Sequence, residues 1–144
     1  MENISNSITP CLWFDSNAKE AALFYIEVFK NGKITSETPM MVTFELNGNS
    51  YMGLNGGANF KFSEAVSFVV TCKTQDEIDY YWSRLTAEGG QESHCGWLKD
   101  KFGVSWQIIP EILPNLLDDP EKASRVLATY RGTKKFNIER LENA

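Results

Sequence analysis

The amino-acid sequence predicts an α+β fold in which two successive modules have the element order βαβββ and a helical tail follows. The first observation behind this prediction is an internal duplication, because a shift of about 57 residues places Gly32 on Gly89 and Val28 on Leu85. The second is a pair of hairpin signals, Asn47-Gly48 and a charged turn at residues 99–101, each between two short apolar runs. Each module would then cover one sheet face with its helix and leave the other face open.

The first module spans about residues 8–57 and alternates between strand and helix patterns. Asn17 and Glu20 have the chemistry of a helix start, and Asn31-Gly32 is predicted to end that helix as a left-handed cap. The predicted elements are a strand at Ile8–Phe14, an apolar helical stripe within Ala21–Phe29, a strand at Lys33–Glu37, and hairpin strands at Met41–Leu46 and Ser50–Leu54.

The second module spans about residues 65–110 and repeats this order. A strand at Ala65–Cys72 precedes Thr74 and Glu77, which have capping-box spacing. The segment Cys95–Pro110 reads as two short strands around a tight turn. Its second strand alternates, with Val104, Trp106 and Ile108 predicted to face the helix and Ser105, Gln107 and Ile109 the open side.

The tail, residues 111–144, departs from the duplicated pattern. Leu113–Arg131 is predicted to be helical, with Pro120 as a first helical residue after Asp118 and Asp119. Lys134–Leu141 is basic and then apolar, which is typical of a segment that packs on a partner or on a sheet edge.

Composition limits the classes of partner. A formal net charge of −5 argues against nucleic-acid binding, which needs clustered Lys and Arg. Every apolar run ends well short of the roughly 18 residues that a membrane-spanning helix needs. The segment Met1–Ser7 lacks a signal-peptide pattern, so we expect a cytoplasmic protein. Three cysteines without C-x-x-C spacing and one histidine, His94, favour free thiols and disfavour zinc.

Several segments together resemble the PhnB-like branch, also called demethylubiquinone methyltransferase-like, of the glyoxalase/bleomycin-resistance (vicinal oxygen chelate) superfamily. These segments are Ile8–Ala18, Asp79–Leu85, Cys95–Pro110, Asp119–Ala123 and Lys135–Ile138. The resemblance implies one glyoxalase-like domain over residues 1–144, in which the two modules form a cupped, barrel-like mixed sheet, and it implies a homodimer. No Gly-rich loop follows a strand, so we expect no methyl-donor site of the Rossmann kind.

The resemblance also identifies four positions at which superfamily members hold a divalent metal. They fall on Pro10 or Ile8, within Ser50–Asn55, near Ser67, and on Gln107. A metal site needs several oxygen or imidazole ligands that converge on one point, and these positions offer only neutral ones. We therefore expect no metal and no other cofactor.

The leading functional hypothesis is metal-independent binding of a small molecule in an apolar cavity, with Gln107 as the polar contact. The candidate binding residues are Gln107, Trp97, Phe14, Leu12, Pro10, Ser67 and Asn55. Gln107 bonded only to backbone is an open alternative, as is core filling by Pro10, Leu12 and Phe14. Two other functions stay open, a metal-dependent lyase or dioxygenase and a structural or protein-interaction domain.

No catalytic residue is assigned. His94 and Cys95 form a possible base and nucleophile, but neighbouring residues on a strand point to opposite faces. We therefore expect Cys95 to be a small buried apolar residue and His94 to lie at the surface.

Overall fold

The computed structural model describes residues 6–144 and divides the chain into two compact units, one that ends at Lys61 and one at Phe62–Ala144. Residues 1–5, part of the segment examined above for a signal peptide, lie outside the described residues. Each unit contains a four-stranded mixed sheet, with one helix in the first unit and several in the second, which confirms the predicted α+β class with two βαβββ modules and C-terminal helices. No helix within residues 6–144 has the length and apolar character needed to cross a membrane.

The sheet of the first unit has the strand order β1-β4-β3-β2, in which β1 and β4 are parallel and the other neighbours are antiparallel. Asn47 and Gly48 have positive φ angles of 50° and 84°, which a two-residue hairpin turn requires, so the predicted turn is confirmed. The elements are β1 (Cys11–Phe14), α1 (Ala18–Phe29), β2 (Gly32–Glu37), β3 (Met41–Leu46) and β4 (Asn49–Asn55).

The start of α1 follows Asn17 as predicted, but the expected capping bond and the predicted C-terminal cap need correction. Asn17 occupies the N-cap position without a side-chain hydrogen bond, and the Ala18 N–H instead donates to Asn55 Oδ1 at 2.8 Å. The left-handed residue at the C-terminus is Lys30, with φ 63°, whereas Gly32 already belongs to β2. The helix therefore ends earlier than the Asn-Gly pair suggested.

The sheet of the second unit has the same order, β5-β8-β7-β6, with β5 and β8 parallel. Shifted by about 57 residues, α1 falls on the whole of α2, which supports the predicted duplication. The elements are β5 (Ser67–Cys72), α2 (Gln75–Thr86), a 3₁₀ turn (Ala87–Gly89), β6 (Gln91–Glu92), β7 (Trp97–Lys99) and β8 (Ser105–Pro110). The predicted capping box is also confirmed, because the Glu77 N–H donates to Thr74 Oγ1 at 3.2 Å and Glu77 Oε1 accepts from the Thr74 N–H at 3.1 Å.

The tail forms three helices rather than one long helix and a short end. They are α3 (Leu113–Asp118), α4 (Ala123–Arg131) and α5 (Ile138–Glu142). Pro120 lies in the turn between α3 and α4, so its prediction as a first helical residue was wrong. The Ala123 N–H donates to the Asp119 carbonyl at 2.8 Å, which starts α4 three residues after Pro120.

The tail packs against its own unit through α2. Gln75 Nε2 donates to the Phe136 carbonyl at 2.9 Å, and Gln75 Oε1 accepts from the Ile138 N–H at 2.8 Å. Lys135 Nζ lies 2.7 Å from Asp79 Oδ1, and the Phe136 ring is fully buried. These contacts hold the segment before α5 beside the N-terminal half of α2.

Candidate functional site

Three predicted binding residues, Gln107, Ser67 and Trp97, lie close together on the open face of the second sheet. Gln107 stands opposite Trp97 of β7 in the antiparallel pairing. Its Nε2 donates to Ser67 Oγ at 2.9 Å. The amide is therefore bonded to a side chain on the same sheet face, and not to the backbone as the alternative reading had it.

The opposite face of β8 is part of the core, as the alternation predicted. Trp106 is buried, its ring centroid lies 5.3 Å from that of Phe68, and its Nε1 donates to Asp100 Oδ2 at 2.8 Å. Asp100 Oδ1 also accepts from the Phe102 and Val104 N–H groups, at 2.8 and 3.1 Å. The buried carboxylate thus fixes the turn between β7 and β8, which confirms turn chemistry for this segment.

A cavity of about 540 Å³ lies in the second unit, bounded by β6, β7 and the tail. Leu98 and Ser105 are its buried residues, and the other lining residues are half-buried or exposed. The lining consists of Glu64, Gln91, Glu92, Ser93, His94, Cys95, Trp97, Leu98, Lys99, Ser105 and Tyr130. Gln107 is not one of these residues and several of them are charged, so a binding role of Gln107 in an apolar cavity stays a prediction.

Ser105 is the most unusual residue of this cavity. Its side chain is only 1% exposed, and its Oγ is buried without a hydrogen-bond partner among residues 6–144. The strand register places it between Ser67 of β5 and Lys99 of β7. A buried hydroxyl without a partner costs about 1–3 kcal/mol, so a hydrogen bond from a bound water or ligand would stabilise this position.

The charged side of the cavity contains one ion pair. Lys99 Nζ lies 2.9 Å from Glu64 Oε1. The hydrogen bond from Lys99 lowers the pKa of the Glu64 carboxyl below its ordinary value, with a smaller lowering from the Lys99 charge. Glu64 therefore stays ionised beside the cavity at neutral pH.

His94 and Cys95 both line the cavity, and the reasoning that separated them needs correction. They lie in a turn between β6 and β7 and not on a strand, and Cys95 has a positive φ of 60°. The Cys95 N–H donates to the Thr133 carbonyl at 2.8 Å, so the tail holds this turn. Cys95 is half-buried and His94 is exposed, as expected for the latter.

Most of the candidate residues of the first unit are packed in the core of that unit or hydrogen-bonded to its backbone. Leu12 and Phe14 are buried, and the Phe14 ring lies beside Gly53 on the side of the sheet that faces Ala18 of α1, which is the core-filling alternative. Asn55 uses both ends of its amide, since Oδ1 accepts from the Ala18 N–H and Nδ2 donates to the Pro39 carbonyl at 3.1 Å. Pro10 is exposed. Binding by these residues stays a prediction.

The positions that the resemblance assigned to a metal do not fit one. Gln107 and Ser67 bond to each other, which gives a neutral amide and hydroxyl pair without an ionised ligand. Within residues 6–144, no three His, Cys, Asp or Glu side chains are grouped closely enough to bind a metal ion. Divalent metals prefer several converging carboxylate or imidazole ligands, so no metal-dependent step follows from these residues.

Sequence reasoning missed Ser105, Glu64, Lys99 and Tyr130 as parts of a site. For Ser105 a signal existed, because the alternation of β8 had already placed its side chain on the open face beside Gln107. For Tyr130 there was none, since its place in the lining depends on how the tail folds back on the second unit.

The architecture is that of the glyoxalase/bleomycin-resistance fold. A glyoxalase-related enzyme from Fulvimarina pelagi is 15% identical, with a TM-score of 0.54 over 76% of this chain and 91% of its own. A protein of Pseudomonas aeruginosa is 20% identical, with a TM-score of 0.63 over 74% of this chain and 98% of its own. At these identities the similarity defines the fold alone.

The family follows from closer matches. Residues 6–109 match the family described as 3-demethylubiquinone-9 3-methyltransferase, and the chain belongs to this PhnB-like family. A PhnB protein of Bacillus cereus is 33% identical, with a TM-score of 0.66 over 73% of this chain and 99% of its own. None of the curated proteins matches the sequence significantly.

Proposed function

We propose that this protein binds a small organic molecule in the cavity of its second unit, and that it does so without a divalent metal. The observation that supports the proposal best is the buried Ser105 hydroxyl in the cavity lining, which has no partner in the described part of the chain. A ligand that supplies the missing hydrogen bond would offset the unfavourable free energy of burying this hydroxyl in the folded state.

The size and shape of the cavity are consistent with this function. Small-molecule sites usually enclose about 300–1,000 Å³ and combine aromatic walls with a few polar groups. This cavity has a volume of about 540 Å³, with Trp97 and Tyr130 as aromatic lining residues and Ser105 as a buried polar one. A planar ligand could stack on Trp97 while a polar group of the ligand reaches towards Ser105.

Methyl transfer, which the family description names, needs a methyl donor held by the protein. Doubly wound nucleotide-binding folds hold such a donor at a Gly-rich turn between a strand and the helix that follows it. Here the corresponding turns are Asp15-Ser16-Asn17 before α1 and Lys73-Thr74 before α2, and neither contains glycine. We therefore propose ligand binding and derive no methyl-transfer step.

A screen of small aromatic and polar compounds by thermal shift tests this proposal, with each hit followed by isothermal titration calorimetry. We expect hits to bind Gln107→Ala like the wild type, because Gln107 lies outside the cavity lining, and to lose about tenfold in affinity in Ser105→Ala, the equivalent of one hydrogen bond. Compounds that bind Ser105→Ala with unchanged affinity and bind Gln107→Ala more weakly would contradict the proposed site. Stoichiometric metal in protein purified without chelator would contradict metal-independent binding.

We also propose that the protein forms a homodimer and that the open face of the second sheet takes part in the interface. Val69, next to Gln107 in the sheet, is 57% exposed, and nearby Val66 is 67% exposed. Exposed aliphatic side chains on a sheet face are typical of a surface that a partner covers. Light scattering after gel filtration should show a dimer for the wild type and for Leu23→Asp, and a monomer for Val69→Asp. A monomeric wild type would contradict this proposal.

A cytoplasmic location is a further part of the proposal. Cys11, Cys72 and Cys95 are all free thiols, which suits a reducing compartment. Fractionation of cells that express the tagged protein would test it, and recovery from the extracellular or periplasmic fraction would contradict it.

A further inference from the structure

The charges around the cavity restrict the chemistry of its ligand. Two carboxylates, Glu64 and Glu92, and one ammonium group, Lys99, belong to the lining. We propose that the ligand is a small organic cation, an amine attached to an apolar or aromatic group. This inference rests on the proposed function, since it names the class of ligand for the same cavity.

Lys99 is the only lysine or arginine of the lining, and it is already paired. Its Nζ lies 2.9 Å from Glu64 Oε1, so an anionic ligand would have to compete with that carboxylate. Glu92 makes no ion pair among the described residues, and it is exposed at the rim. By formal charge at pH 7, the lining therefore has one more negative than positive charge, which attracts a cation and repels an anion.

Two aromatic rings add a second preference for a cation. Trp97 and Tyr130 are half-buried lining residues, and the Tyr130 ring centroid lies 5.4 Å from that of Phe136, which restricts its orientation. A cation over the face of an aromatic ring is attracted by the negative potential of that face, and tryptophan is the best partner for it. The apolar part of the ligand gains from the same rings by burial.

The Ser105 hydroxyl completes the set of contacts. An ammonium group has N–H donors and no acceptor, and a hydroxyl oxygen without a partner can accept from it. The net charge of the whole chain, −5, acts in the same direction by favouring the approach of cations.

Three ligands of similar shape and different charge provide the test: phenethylamine, 2-phenylethanol and 3-phenylpropionate. Binding is measured by calorimetry at low and at moderate ionic strength, with millimolar ligand. We expect the amine to bind about tenfold more tightly than the alcohol, the acid to bind most weakly, and the preference for the amine to shrink as salt is added.

Two surface variants identify where the preference arises. Glu92→Gln should weaken amine binding by roughly twofold to fivefold, which corresponds to an exposed ion pair of about 0.5–1 kcal/mol, and it should leave alcohol binding unchanged. Glu111→Gln, an exposed carboxylate outside the cavity lining, is the matched control with the same change of charge and should leave both ligands unchanged.

The outcomes separate this inference from the proposed function. If the alcohol or the acid binds as tightly as the amine, and Ser105→Ala weakens that binding, the cavity is a ligand site and the inference of a cation is wrong. If Glu111→Gln weakens amine binding as much as Glu92→Gln does, the preference is a property of the whole chain and the inference is also wrong. If none of the three ligands binds, the inference of a small aromatic amine is contradicted, and the compound screen decides separately whether the cavity binds another small molecule.

Discussion

Replacing Ser105 by alanine should stabilise the protein in the absence of ligand, although it removes a polar group from the candidate site. The Ser105 Oγ is buried and has no hydrogen-bond partner in the described part of the chain. In the unfolded chain this hydroxyl bonds to water, so folding costs about 1–3 kcal/mol that no contact in the structure returns. Alanine has no hydroxyl group, so its burial carries no such unfavourable free energy.

The expected gain is smaller than the full cost. Removing the oxygen also removes its dispersion contacts and leaves a small void, which offsets a few tenths of a kcal/mol. We expect Ser105→Ala to raise the free energy of unfolding by about 1 kcal/mol, or the melting temperature by roughly 2–4 °C for a chain of this size. Sites that bind ligands often give up stability in this way.

Urea unfolding followed by far-UV circular dichroism provides the measurement. Ser67→Ala is the matched control on the neighbouring strand, because Ser67 Oγ accepts from Gln107 Nε2 at 2.9 Å. Its loss should lower the free energy of unfolding by about 0.5–1.5 kcal/mol. A loss of 1 kcal/mol or more in Ser105→Ala would refute the reasoning, because it would mean that the hydroxyl is satisfied inside the folded protein.

Three further predictions concern buried and paired groups of the second unit. Burial, with a smaller effect of the nearby Glu77 charge, raises the pKa of the Cys72 thiol to about 12. Treatment with iodoacetamide at pH 8, followed by mass spectrometry, should therefore label the exposed Cys11 and leave Cys72 unlabelled. Rapid labelling of Cys72 would contradict its burial. Asp100 is only 3% exposed and accepts three hydrogen bonds. In a urea titration, Asp100→Ala should therefore lower the free energy of unfolding by roughly 3 kcal/mol. A loss below about 1 kcal/mol would contradict the role of Asp100 in holding the turn. The hydrogen bond from Lys135 lowers the pKa of the Asp79 carboxyl, so its stabilisation is present above the ordinary value of 3.8 and is lost as the pH falls through the folded-state value. Since the carboxyl is half exposed, Asp79→Asn should cost less than about 1 kcal/mol at pH 7 and a smaller amount in strong acid. An equal loss at both pH values would contradict this.

Most of the fold could be predicted because it depends on local patterns. Helix periodicity and the capping box at Thr74 identified α2, and the Asn47-Gly48 pair identified the hairpin of β3 and β4. The ends of α1 were less predictable, since Asn17 makes no side-chain capping bond and the Ala18 N–H donates instead to Asn55, 37 residues further along the chain. A capping group that comes from another strand leaves no local signal in the sequence.

The candidate site could be predicted only in part, because a cavity is a property of tertiary contacts. Alternation along β8 correctly placed Gln107 on the open face, where it meets Ser67 and Trp97. The same alternation failed at Cys95, which is held in a turn by its N–H bond to the Thr133 carbonyl in the tail. The lining of the cavity depends on the place at which the tail packs against the second unit. The sequence pattern within β6 or β7 does not predict that place.

Mapping of amide chemical shifts tests the central claim most directly. Nuclear magnetic resonance spectra of the ¹⁵N-labelled protein are recorded as phenethylamine is added, for the wild type and for Ser105→Ala. If a small molecule binds in this cavity, the largest shift changes should fall on residues 92–99, Ser105 and Tyr130, and they should saturate at lower ligand concentration in the wild type. Changes that are spread over the chain, that centre on the first unit, or that are identical in the two proteins would contradict the claim.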